Sequence, residues 1–170
     1  LLAVVFYLGS EAFLIDPQVS EITKLQAVGI GAGTLVVGWL LYDTLYMSNW
    51  SNENGALAAA VSFAGLCGVA FGLSQILSGR GAYVHVGALM GIVMVLNVWI
   101  RILPGQQNLV NARKAGKEPD PAYGVLAKQR SVHNNYMTLP IVFVMISSHY
   151  PETYGHAQNW AVLIALFIIG

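Results

Sequence analysis

A polytopic, all-α bundle of transmembrane helices is the expected architecture of this chain, on three grounds. Charged residues make up only 9% of it, against 56% hydrophobic. A water-soluble domain carries about 25% charged residues, and so little polar side chain cannot cover a water-facing surface. Several apolar blocks reach the ~20 helical residues that a ~30 Å hydrocarbon core requires. Stretches such as "LVVGWLLYDTLYM" and "GIVMVLNVWI" also lack the alternation over about ten residues that barrel strands show.

Taken in order, the blocks are residues 1–15, 25–47, 56–77, 82–103, 136–149 and 160–170, for about five to six spans. The second to fourth are long enough to cross. The fifth reaches that length only if its polar flanks, residues 131–151, continue the helix. The first and last are too short and stop without cap or polar flank. They are expected to be truncated spans, and residues 1–170 to be a single transmembrane domain of a longer chain. Leu1 opens directly into apolar sequence, without the basic leader of a signal peptide. Trp50, Trp99 and Trp160 fall near block ends, where indole rings favour the membrane interface.

Six of the eight Lys and Arg residues lie between Arg101 and Arg130. The positive-inside bias therefore assigns the connecting loop 105–134 to the cytoplasm. Within it, "QQNLVNARKAG" is expected to form a short surface helix and "KEPDPAYG" to break it at Pro119 and Pro121. The single Cys67 excludes an intrachain disulfide, a Cys-based zinc site and a C-x-x-C-H haem attachment within these residues. Glycines spaced by three and four, such as Gly87 and Gly91, allow close helix approach and carry no chemistry of their own.

Ionisable groups inside spans are costly and mark functional places. The topology sorts them into two layers. Toward one end lie Glu11, Arg80, His85 and His149; toward the other lie Asp43, Arg101, Arg130 and His133. His133 and His149 are sixteen residues apart, about 24 Å along a helix, so they serve separate places. His85 and His149, on different helices at similar depth, suit ligation of one haem iron or a shared metal; the plainer reading is that each only hydrogen-bonds at the interface. Arg80 beside Glu11 reads equally as a structural ion pair or as an anion-binding group. In "KQRSVHNN", Arg130 and His133 are helix neighbours and Asn134 adds an amide. That group suits a planar polar ligand, the arginine supplying charge for an anion; it would equally cap and anchor the fifth span. Asp43 is a candidate partner or proton acceptor, and Asn97, one turn from Arg101, a bridge between helices.

Three stretches carry a family resemblance: "YLGSEAFLIDP", "GRGAYVHVGALMGIVMVLNVW" and "PDPAYGVLAKQRSVHNNYMTLPIVFVMISSHYP". They resemble the membrane domain of the cytochrome-linked urate oxidases, or urate hydroxylases. The resemblance implies oxidation of urate to 5-hydroxyisourate in purine breakdown, with electrons passed to a cytochrome c. It implies a cytochrome c haem on a separate or missing domain. The His85 and His149 placement adds a b-type haem between helices as an expected cofactor, and the composition and charge bias give a bacterial inner membrane as the expected location. The resemblance places His85, His133, His149, Arg80 and Arg130 within the family's motifs. The roles assigned from the two layers are catalytic for Arg130, His133 and Asp43, haem-binding for His85 and His149, and substrate-binding for Arg80, Glu11 and Asn134. The expected partners are the bilayer, a cytochrome c or other redox subunit, and urate or another small planar anion, with no nucleic acid. The alternative is a non-catalytic haem-binding or scaffolding subunit of a larger electron-transfer complex.

Overall fold

The structure is a computed structural model that describes residues 7–170. Residues 1–6 of the first expected block therefore lie outside the described residues. Among the described residues every regular element is a helix. Helix α1 (Lys24–Met47) opens on a capping box. The Thr23 hydroxyl accepts from the Gln26 N–H at 3.3 Å, and the Gln26 side chain accepts from the Thr23 N–H at 2.9 Å. Two donors left open at the helix start are thereby satisfied. A short α2 (Asn49–Glu53) leads into α3 (Gly55–Ser74). The next helix, α4 (Gly79–Leu96), is capped by Ser78, whose Oγ accepts from the Gly81 N–H and donates to the Phe13 carbonyl at 2.9 Å. One cap thus also ties down the chain that precedes α1.

Beyond α4 the winding changes. A π-helical stretch, Asn97–Ile102, runs without interruption into α5 (Leu103–Lys114). Pro104 supplies the reason. It has no N–H to offer the carbonyl four residues back, and its ring crowds that carbonyl. The preceding turn widens, the Leu103 N–H bonding the Val98 carbonyl five residues earlier, and takes up the misfit.

Within the expected connection 105–134 the helix expected over "QQNLVNARKAG" is present, but it runs on from the fourth span and the next helix begins earlier than expected. Residues 103–114 continue the fourth span as helix, and the true turn is residues 115–120. Gly116, at φ +67°, ends α5 in a Schellman arrangement, with Lys117 N–H bonded to Ala112 O and Gly116 N–H to Arg113 O. An L side chain rarely adopts that backbone. Pro121 does not break a helix here; it starts one. Asp120 caps the Ala122 N–H at 2.9 Å, and Pro121 sits where its missing N–H is not needed. The resulting α6 (Pro121–Ser147) has 27 residues, about 40 Å at ~1.5 Å each. It begins ten residues before the flank at 131, which places Arg130 and His133 well inside the helix. Then come α7 (Pro151–Tyr154) and α8 (Asn159–Ile169).

Among the described residues three helices are long and apolar enough to cross a membrane: Lys24–Met47, Gly55–Ser74 and the continuous Gly79–Lys114. Helix α6 has the length but carries polar residues through its first half, and α8 is apolar but shorter. At the centre stands α4, packed against α1, α3 and α6. The outer helices turn residues such as Val36, Leu41, Leu57 and Val61 outward, the surface a helix presents to lipid.

The crossing of α1 over α4 is close. A Cβ on Gly31 would overlap the His85 ring and lie 3.2 Å from the Tyr7 hydroxyl. Gly31→Ala is therefore expected to push these helices apart and cost about 1–3 kcal/mol. The readout is a lowered unfolding midpoint in detergent; an unchanged midpoint would mean the crossing is looser than this.

Candidate functional site

Three helices each turn one polar face toward the same end of the bundle. From α1 come Tyr42, Asp43 and Tyr46; from the π-helical stretch, Asn97 and Arg101; from α6, Arg130, His133 and Asn134. Spacings of three and four residues put each set on one side of its helix. They meet around Asp43. Arg101 pairs with it through Nε at 3.0 Å and through Nη2, and Arg130 Nη2 donates to Asp43 Oδ1 at 3.0 Å. The Arg130 side chain is fully buried. Its guanidinium carbon lies 5.0 Å from the centre of the Tyr42 ring and 5.6 Å from that of Tyr46, within the range of cation–π attraction.

Beside this ion cluster runs a chain of neutral groups. Asn134 Nδ2 donates to the Met94 carbonyl at 2.9 Å, Asn97 Nδ2 donates to Asn134 Oδ1 at 2.9 Å and to Tyr42 Oη at 3.0 Å, and Tyr42 Oη lies 2.7 Å from His133 Nδ1. Buried polar atoms are almost always paired. Here Arg130 Nε, Arg130 Nη1 and Asn97 Oδ1 are buried without a hydrogen-bond partner. Two donors and one acceptor are thus left over where two guanidiniums share one carboxylate.

Asp43, Arg130, His133 and Asn134 are therefore brought together, with Asn97 bridging two helices. Tyr42 and Tyr46 belong to the same place and were not singled out by sequence. Their signal was the "YDTLY" spacing around Asp43, which reads as apolar when only hydropathy is followed.

The other layer does not gather. Glu11 and His149 are exposed, and Arg80 is half-buried with its guanidinium carbon 5.9 Å from the Phe13 ring centre. Among the described residues the ion pairs are those of Asp43, so Glu11 and Arg80 do not form one. His85 is buried, with Nδ1 2.7 Å from the Gly81 carbonyl and Nε2 2.9 Å from Tyr7 Oη. Gly87 lies against Val144 and Met145 of α6. Position 85 is about 200° around the helix from position 87, at roughly 100° per residue, and His85 faces Gly31 of α1 instead. His85 and His149 consequently do not face one gap, and both His85 nitrogens are already engaged. As placed, they do not fit a haem or metal held between them. Among the described residues no group of three or more His, Cys, Asp or Glu side chains is placed to hold a metal ion.

Comparison with curated proteins and with solved structures finds no match to either. Comparison with family models does: the one described as urate oxidase N-terminal matches residues 1–170. With that match over its whole length, this helical, membrane-suited chain belongs to the urate oxidase N-terminal family.

Proposed function

We propose that the protein is a membrane oxidoreductase that binds the urate monoanion at the Asp43–Arg101–Arg130 cluster and oxidises it to 5-hydroxyisourate. One observation carries the reading: the cluster holds two guanidiniums against one carboxylate, and the fully buried Arg130 still has Nε and Nη1 unpaired. A buried excess of one positive charge is unfavourable unless an anion balances it. A planar anion with adjacent carbonyl and N–H groups satisfies the two arginine donors and the Asn97 acceptor together. Family membership supports urate as that anion.

The reaction balances as urate monoanion plus water giving 5-hydroxyisourate, one proton and two electrons. Those electrons pass to a cytochrome c. The chain's own residues hold the ring, neutralise its charge and keep it in a dry place. Arg113 and Lys114 at the end of α5 and Lys117 in the turn lie beyond this cluster, which supports a cytoplasmic side for urate entry.

The same ion cluster also joins α1, the π-helical stretch after α4, and α6, as the scaffolding reading would need. The deciding experiment uses the full-length protein in lipid with cytochrome c, under exclusion of oxygen. Urate-dependent reduction of cytochrome c, with two reducing equivalents per urate consumed, supports the enzyme. No reduction with an intact, correctly assembled protein would leave the scaffold.

A further inference from the structure

His133 would ordinarily be taken for the base of such a site. The hydrogen-bond chain beside it leads elsewhere, because its direction is fixed at one end. The Met94 carbonyl can only accept, so the Asn134 atom 2.9 Å away must be the amide nitrogen. Asn134 then turns its oxygen toward Asn97, which must answer with its own nitrogen at 2.9 Å. That nitrogen has a second hydrogen, and Tyr42 Oη lies 3.0 Å from it. Tyr42 Oη is thereby an acceptor toward Asn97, and its own hydrogen has one acceptor within reach, His133 Nδ1 at 2.7 Å. Each assignment follows from the donor and acceptor inventory of the groups, not from a choice of amide orientation.

We propose that Asn134 and Asn97 are positioning residues that act through Tyr42 to hold His133 as its neutral Nε2–H tautomer, so that His133 meets a ligand as a hydrogen-bond donor and not as a base. Nδ1 is occupied by the tyrosine hydroxyl. Nε2 has no hydrogen-bond partner among the described residues, and with its hydrogen it is an unused donor on a residue one helical turn from Arg130. The same chain fixes which way the Asn97 amide faces, and so which of its atoms, Oδ1, is left buried without a partner. The tautomer follows from the hydrogen bonds alone; only the identity of the ligand rests on the urate reading.

The test is nitrogen NMR of histidine-labelled full-length protein in lipid, with the His133 signals identified by their loss in His133→Gln. The wild type should show an unprotonated Nδ1 and a protonated Nε2. A protonated Nδ1 in the wild type overturns the proposal without recourse to any variant. Asn134→Leu releases Asn97 from its fixed orientation and should give a mixture of tautomers, as should Tyr42→Phe, which removes the donor to Nδ1 with little change of shape. A spectrum unmoved in both would also overturn it.

Kinetics add a separate arm. A glutamine amide can place an N–H near the Nε2 position, so His133→Gln should keep the KM for urate within about threefold, whereas His133→Leu should raise it about tenfold, near the loss of one charge-assisted hydrogen bond. A fall in kcat alone in His133→Gln, with KM unchanged in both variants, would mean His133 is a base after all. If the tautomer is as proposed but urate is neither bound nor oxidised, the functional reading fails and the positioning role of the asparagines stands.

Discussion

Asp43→Asn is expected to destabilise the protein by about 3–5 kcal/mol, the cost of removing one partner from a buried ion pair. The carboxylate is the counter-ion of both Arg101 and Arg130, and asparagine leaves both cations facing each other across a neutral amide. The larger share of the loss comes from Arg130, whose side chain is fully buried. Arg101 is 27% exposed, and water screens its half of the interaction. Equilibrium unfolding in detergent measures the effect. Adding Arg130→Gln to Asp43→Asn should recover part of the stability, since the worst-placed cation then goes too; the double-mutant cycle gives the coupling. An Asp43→Asn protein as stable as the wild type would mean that Asp43 is not the counter-ion of the cluster.

Arg130 behaves differently, and the difference separates a binding site from a helix clamp. Arg130→Gln removes the excess charge and leaves Asp43 paired with Arg101. Its stability loss should be about 1–2 kcal/mol, from the packing against Tyr42 and Tyr46, well below that of Asp43→Asn. Urate affinity should nevertheless fall by about 100-fold or more, since charge-assisted hydrogen bonds contribute roughly 1.5–3 kcal/mol each. Arg130→Lys keeps the charge but not the planar fork, and an intermediate loss of about tenfold is expected. Urate binding assays on the three proteins give the order directly. If Arg130→Gln unfolds as readily as Asp43→Asn and binds urate normally, the cluster is a structural clamp and nothing more.

The site was legible in sequence where depth alone decided the matter. Asp43, Arg101, Arg130 and His133 sit at matching distances from the ends of their apolar blocks, and antiparallel neighbours bring such positions to one level. Azimuth was not legible in the same way. The two histidines expected to share a haem are a case of it: α4 is buried on several sides, so apolar residues surround His85 and nothing in the sequence says that Gly87 faces α6 while His85 faces α1. The tyrosines were hidden for a related reason. Tyr42 and Tyr46 read as part of an apolar span, yet each has a hydroxyl that a dry interior must satisfy.

Helix limits failed in the polar segment for another reason. Residues 103–114 have too little hydropathy to mark a span, so "QQNLVNARKAG" read as a separate surface helix and not as the continuation of the fourth span. What continues it is backbone chemistry: Pro104 is accommodated by a π-helical turn, and the stop comes only at Gly116. The restart at Pro121 was readable from Asp120 and Pro121 together as cap and first residue. A proline taken only as a breaker conceals it.

The most direct test of the urate site is a cryo-electron microscopy map of the full-length protein in lipid with urate bound. Density for a planar ring against Arg130 Nε and Nη1 and Asn97 Oδ1, with Asp43 still joined to both arginines, is the predicted result. Urate located instead beside Arg80 and His85, with the Asp43 cluster unchanged and empty of ligand, would contradict it.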